Sequence, residues 1–225
     1  MCEPVGRSAI SSVLFDFDGT LVHTAPGILA GFRNVLHAAG VRAVEAIDER
    51  VIGPPLLATL QRLTGLDAGP EIDRLAAAFK ATYDADGILQ AEPYPGLDDT
   101  LDALAAAGRR AYVVTNKRQV PARAIAGRLG LIPRLAGLYS LDSLTPPAPR
   151  KQAVVAHLLS AHGVAARSAV LVGDSAEDAE AAAGNGLRFI AVTYGYGSPL
   201  DFAGAPAVAT LDRLAELPDL LRRLD

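Results

Sequence analysis

Residues 13–21 read Val13-Leu14-Phe15-Asp16-Phe17-Asp18-Gly19-Thr20-Leu21. A short run of Val, Leu and Phe is the signature of a buried strand, whereas Asp and Gly are poor strand formers. The strand therefore ends at Asp16, and the tight turn that Gly19 permits follows at once. Two carboxylates one residue apart are delivered to the carboxyl edge of a sheet, where open α/β folds bind ligands.

Outward from this stretch the texture divides in two. Ala25 to Gly40 carries Ile28, Leu29, Phe32, Val35 and Leu36 at helical spacing, with Pro26 near the start and Gly40 at the end. Helical patterns recur at Pro55 to Leu63 and Glu71 to Tyr83, so residues Thr24 to about Glu92 read as helices only. From Pro93 the pattern alternates. Helices are predicted at Leu97 to Ala107, Val120 to Leu129, Lys151 to His162, Ala176 to Ala183 and Leu211 to Leu221. Strands are predicted at Arg110 to Thr115, Gly137 to Leu141, Ala169 to Gly173 and Phe189 to Thr193. Alternating β and α segments imply a parallel sheet covered on both faces. The expected fold is α/β: a Rossmann-like doubly wound core, residues 1–22 and 93–225, with an inserted all-α cap, residues 23–92.

Three further places join Asp16 and Asp18 as candidates, because parallel topology brings strand ends to one edge. Val113-Val114-Thr115-Asn116-Lys117 is a β-branched strand ending in a hydroxyl and an amide. Thr115, Asn116 and free backbone N–H groups there can cradle phosphate oxygens, although Thr and Asn also serve as plain helix caps. Pro149-Arg150-Lys151-Gln152 follows a Pro-rich turn and places cations at a helix start, where they oppose the macrodipole; a reason other than helix stability is required. Arg150 and Lys151 are both candidates to face the site, and Lys151 is preferred. Val170-Leu171-Val172-Gly173-Asp174-Ser175-Ala176-Glu177-Asp178 is an apolar strand ending in an acid, with Asp178 one helical turn on. Hard carboxylate oxygens near Asp16 suit Mg²⁺. The alternative for Ser175 or Asp174 is a cap on the following helix.

Taken in order, these four segments resemble the motifs of the haloacid dehalogenase superfamily, most of whose members are Mg²⁺-dependent phosphatases. The resemblance implies that Asp16 attacks phosphorus to form an aspartyl phosphate, and that Asp18 is the general acid and base. It implies that Lys151 neutralises the nucleophile and the phosphoryl oxygens, while Thr115 and the backbone near Asn116 hold those oxygens. The metal would be bound by the Asp16 carboxylate, the Asp18 backbone carbonyl and Asp174, with Asp178 in support. Haloacid dehalogenases lack the second acid of the first motif, so Asp18 implies phosphoryl transfer. Residues 16–28, DFDGTLVHTAPGI, are similar to the phosphoglycolate phosphatase subgroup, with His23 where an Asp is common. Gly53-Pro54-Pro55-Leu56 and Val192 to Ser198 resemble that subgroup and its nucleotidase-like relatives. Lys80 and Tyr83 share a helix face and are candidates to meet an anionic leaving group. The position of the cap histidine of phosphosugar mutases is Ile28 here. A 5′-nucleotidase, a pyrophosphatase, a phosphosugar mutase and a non-catalytic phospho-ligand-binding protein are the alternatives.

Composition narrows the partners. The 225 residues carry a formal charge of −4 and no dense Lys/Arg run, which argues against nucleic acid as the main partner. A small anionic substrate would need local positive charge and a metal, and it is the resemblance that implies a small phosphorylated molecule. No apolar run approaches the roughly 20 residues of a membrane span. The only cysteine is Cys2, which rules out an internal disulfide. The first residues lack the apolar stretch of a signal peptide, and the expected location is cytoplasmic. No feature specifies an oligomeric state.

Overall fold

The computed structural model describes residues 9–197 and 207–225; Cys2 and Ser198 lie outside them. In chain order the strands are β1 (Ser12–Phe15), β2 (Val22–His23), β3 (Glu92–Pro93), β4 (Arg110–Thr115), β5 (Gly137–Ser140), β6 (Ala169–Gly173), β7 (Arg188–Val192) and β8 (Ala209–Leu211). The helices are α1 (Ala25–Ala38), α2 (Leu56–Thr64), α3 (Pro70–Ala85), α4 (Leu97–Ala106), α5 (Gln119–Arg128), α6 (Lys151–Ala161), α7 (Ala176–Ala183) and α8 (Leu217–Leu224). Among the described residues, none of these helices is long and apolar enough to cross a membrane.

Six strands form one parallel sheet in the order β5-β4-β1-β6-β7-β8. The central strands β1 and β6 are buried at every residue. That explains why they read as unbroken apolar runs without alternation. Successive side chains of β1 nevertheless enter different layers. Val13 and Phe15 pack with Leu101 of α4, Ile125 of α5 and Leu221 of α8. Leu14 packs on the opposite face with Val154 and Leu158 of α6 and Ala182 of α7. The register sets Phe15 opposite Val113 on one side and Val172 on the other. Asp16, Thr115 and Asp174 therefore emerge at the same edge.

Helices α1 to α3 have a core of their own. Phe32 stacks on Phe79 at 4.5 Å between ring centroids, and Phe79 stacks on Tyr83 at 5.4 Å. Leu60, Leu63, Ile72 and Leu75 complete the same cluster. Two differences from the sequence-based expectation stand out. A two-residue antiparallel ladder, Val22 with Pro93 and His23 with Glu92, ties together the segments that lead into and out of the helices. Strands so short carry no periodicity to read. At the carboxyl end, Leu211 closes edge strand β8 and does not begin a helix. The helix starts later, at Leu217, with Pro218 in its first turn, a position where the missing proline N–H costs nothing.

Leu171 is fully buried in β6. Replacing it with Ala should cost about 3 kcal/mol, read as a lower urea midpoint with an unchanged slope. A loss below about 1 kcal/mol would mean that this layer relaxes around the cavity.

Candidate active site

The ends of β1, β4 and β6 and the start of α6 converge on one buried cluster. Lys151, the first residue of α6, is only 2% exposed. Its Nζ lies 2.9 Å from Asp16 Oδ1 and 2.7 Å from Asp178 Oδ1. Arg150, its neighbour, is exposed. A lysine at a helix N-terminus is unfavourable on dipole grounds, and these two carboxylates supply the compensation. Their charges outweigh the effect of burial and raise the ammonium pKa.

Asp174 follows β6 and is 3% exposed. It does not cap α7. Ser175 does, in a reciprocal arrangement with Asp178: the Asp178 carboxylate accepts from the Ser175 backbone N–H at 3.1 Å, and the Ser175 hydroxyl accepts from the Asp178 N–H at 3.3 Å. Asp174 Oδ2 instead accepts the backbone N–H of Tyr196 at 2.7 Å. The loop around Asp18 is pressed against this carboxylate. Gly19 has φ +83°, and a Cβ there would stand 2.3 Å from Asp174 Oδ2. Glycine is required twice over, by conformation and by space.

Asp16, Asp174 and Asp178 offer carboxylate oxygens within 4.8 Å of one another. Three acids and one ammonium leave two negative charges in excess, the deficit that one divalent cation fills. Asp16 Oδ1 is buried without an aligned hydrogen-bond donor, although the Lys151 charge stands beside it. Burial raises the Asp16 carboxyl well above the carboxylate range; Lys151 opposes the shift, and Asp178 and Asp174 add to it. Asp174 is pushed up to about 6, by burial first and by Asp178 second, with the Tyr196 N–H pulling back. An all-oxygen donor set with excess negative charge fits a hard divalent cation.

Thr115 is buried, and its Oγ1 accepts the Lys117 backbone N–H at 3.1 Å. Helix α5 starts at Gln119, one residue before the expected Val120, after the chain has turned over Thr115. Asn116 Nδ2 donates to Gly53 O at 3.0 Å and to Glu177 Oε2 at 2.6 Å. Asp18 is engaged by groups the sequence reading passed over. Lys117 Nζ lies 3.0 and 3.3 Å from its two oxygens, and Thr24 Oγ1 donates to Oδ1 at 2.6 Å. The cation beside Tyr83 is this lysine, and Lys80 is exposed. Lys117 could have been noticed as the residue after Thr115-Asn116 at the same sheet edge. His23 lies in β2 with Nδ1 3.2 Å from the Tyr196 hydroxyl, where it packs among tyrosines. A cleft of about 320 Å³, bordered by Asp18, Arg50, Gly53, Asp174 and Tyr196, opens on the cluster.

The haloacid dehalogenase-like hydrolase family profile matches residues 13–192. A phosphoglycolate phosphatase of Rhodospirillum rubrum is 36% identical over 93% of this chain and 90% of its own length. A 5′-nucleotidase of Pseudomonas aeruginosa is 31% identical over 83% of this chain and 84% of its own. Among solved structures, a haloacid dehalogenase-like hydrolase from Streptococcus pneumoniae superposes with a TM-score of 0.83 at 27% identity, covering 94% of this chain and 98% of that one.

A carboxyl whose folded pKa is raised stabilises the fold at low pH and loses that contribution as pH rises through the folded value. For Asp174 the window runs from about 4 to about 6, and on the order of 2–3 kcal/mol is involved. Metal-free protein should therefore melt lower at pH 7.5 than at pH 5, to the extent that Asp174→Asn abolishes. Added MgCl₂ or MnCl₂ should restore the melting temperature at pH 7.5 and do little at pH 5. A cation-induced rise that persists in Asp174→Asn would remove Asp174 from the cation-binding group.

Proposed function

Because the chain belongs to the haloacid dehalogenase-like hydrolases, we propose that it is a Mg²⁺-dependent phosphatase acting on a small, phosphoglycolate-like phosphate monoester, with the phosphoryl group carried transiently on Asp16. The observation that carries this reading is the buried Lys151 ammonium between Asp16 and Asp178, with Asp174 in the same cluster. Residues 1–22 and 93–225 form the catalytic core in this proposal, and 23–92 form a cap that covers the cleft. Gly53 and Tyr83 from the helical segment touch Asn116 and Lys117, which supports that division. A chain whose only cysteine is Cys2 also suits a reducing cytoplasm.

In the first step an Asp16 carboxylate oxygen attacks phosphorus in line, the ester P–O bond breaks, and Asp18 gives its proton to the departing oxygen. In the second step Asp18 takes a proton from water as that water attacks the aspartyl phosphate, releasing phosphate and regenerating Asp16. Lys151 stays charged throughout and holds one Asp16 oxygen while charge spreads over the phosphoryl group. The Thr115 hydroxyl, with its oxygen already accepting from Lys117 N–H, has its own proton free for a phosphoryl oxygen. Mg²⁺ would be held by the Asp16 and Asp174 carboxylates and the Asp18 backbone carbonyl, while Asp178 holds Lys151 in place. Its chemical contribution when bound is to shield the nucleophile from the negative charge of the phosphate.

Ile28 is 8% exposed and packs in the α1–α3 core, which speaks against a mutase that needs a histidine there. The 5′-nucleotidase relative favours nucleoside monophosphates as the second substrate class. With Mg²⁺ present, phosphate release should be measured from phosphoglycolate, sugar phosphates, nucleoside monophosphates, pyrophosphate and p-nitrophenyl phosphate. Phosphoglycolate is expected to give the highest kcat/KM, and Asp16→Asn to lose more than about a hundredfold on every substrate. Turnover that survives Asp16→Asn would refute the nucleophile, and a preference for nucleotides would select the second class.

A further inference from the structure

Lys117, in the loop after β4, is an ammonium with only 5% of its side-chain surface exposed, and it ends the segment that supplies Thr115 without a role in the proposed chemistry. A buried ion pair is weak evidence for stability, so its partners are informative. Its Nζ approaches Asp18 Oδ1 at 3.0 Å, Asp18 Oδ2 at 3.3 Å and the Tyr83 hydroxyl at 2.8 Å. It also stands 4.7 Å from the centroid of the Tyr83 ring. Lysine has three N–H donors, and three acceptors surround this one, which leaves none to bind a substrate anion. Asp18 Oδ1 is held twice, by Lys117 and by Thr24 Oγ1 at 2.6 Å. Oδ2 has only the longer contact. Asp18 lies between two spaces: the cleft over Asp174, and an apolar pocket of about 80 Å³ lined by Ile28, Phe32, Phe79 and Tyr83.

The flanking residues reach the same helices. Asn116 donates to Gly53 O, and Arg118 Nη1 donates to Asp84 Oδ2 at 3.0 Å. Three consecutive residues after β4 thus grip the helical segment, and of the three only Lys117 also grips Asp18.

We infer that Lys117 is a positioning residue: braced by Tyr83 of α3, it locks Asp18 Oδ1 and aims Oδ2 at the leaving-group oxygen, so that the acid is in place only when the helical segment is docked. The inference rests on the reading of Asp18 as general acid and base. No proton passes through Lys117. The proton on Asp18 Oδ2 moves to the leaving oxygen as the ester bond breaks, and Lys117 fixes where that proton starts.

A positioning role for an acid has a signature that neither a structural role nor a direct substrate contact shares. An alkyl leaving group needs the proton, whereas p-nitrophenolate departs without it. Steady-state kinetics with Mg²⁺ should be compared on p-nitrophenyl phosphate, glycerol 2-phosphate and phosphoglycolate for wild type, Lys117→Met, Lys117→Arg, Tyr83→Phe and Asp18→Asn. Lys117→Met should lower kcat/KM by about 30- to 1,000-fold on both alkyl esters and by less than about threefold on p-nitrophenyl phosphate. That ratio reports the steps through departure of the leaving group and not the later hydrolysis, in which Asp18 is the base. Tyr83→Phe should show the same pattern more weakly, and Lys117→Arg should recover part of the loss. Lys117→Met should add nothing in the Asp18→Asn background, because the two act as a unit.

Equal losses of kcat/KM on aryl and alkyl esters would overturn the inference in favour of a structural ion pair. A loss confined to phosphoglycolate, with glycerol 2-phosphate spared, would overturn it in favour of direct anion binding. Should Lys117→Met fail to fold, Tyr83→Phe and Lys117→Arg decide, and absence of the leaving-group pattern in Tyr83→Phe refutes the coupling to α3. Wild-type turnover that is lost in Asp16→Asn keeps the phosphatase reading intact whichever way these variants fall. A wild type inert on every ester would remove both.

Discussion

The Lys151 ammonium, buried between Asp16 and Asp178, is the constraint on which the arrangement of the sheet edge depends. Taking a cation out of water at a helix N-terminus is unfavourable twice, through desolvation and through the macrodipole. Only close carboxylates offset that cost, and they come from β1 and α7, on elements far apart in the chain. The ion pairs therefore hold α6 against the end of β1 and against the first turn of α7. Asp178 answers a second demand at the same time. It closes the capping arrangement with Ser175, which leaves Asp174 uncommitted by the helix that follows it.

Negative charge in excess of Lys151 is the functional counterpart of that packing. Burial and mutual repulsion raise Asp16 and Asp174, so the cluster is unsatisfied as it stands. Structural clusters of this depth pair off their charges; one that does not is suited to capture charge from outside. A divalent cation and a phosphoryl group of opposite sign are complementary ligands for it. The loop Tyr194 to Gly197 closes the far wall. Its Tyr196 N–H holds Asp174, and its hydroxyl accepts the N–H groups of Thr24 and Ala25 at the start of α1. One residue thus links Asp174, through its backbone N–H, to the point where the helical segment begins, through its hydroxyl.

Much of this was legible in the chain because the signals are local. Buried parallel strands are continuous apolar runs, and a polar residue that ends one marks the sheet edge, so Asp16, Thr115 and Asp174 could be found from their neighbours. Lys151 was legible because its position contradicts helix electrostatics. The ladder of β2 and β3 escaped notice because two residues carry no period. The start of α8 escaped because Leu211 to Leu221 mixes the end of an edge strand with a turn and a helix. The pairing of Tyr83 with Lys117 escaped because the two are 34 residues apart; in sequence Tyr83 reads beside Lys80 on its own helix face, and nothing local distinguishes Lys117 from a solvated lysine.

The sequence by itself therefore determined the α/β class, the helical insertion and the identities of the residues at the strand ends, since each follows from the hydrophobic pattern and polarity of a few consecutive positions. The tertiary structure decided which of those residues face one another. Strand order β5-β4-β1-β6-β7-β8 sets Asp16 between Thr115 and Asp174, and docking of α3 brings Tyr83 to Lys117. Pairings between segments distant along the chain are settled by the burial of whole faces, a collective quantity that no short stretch of residues contains.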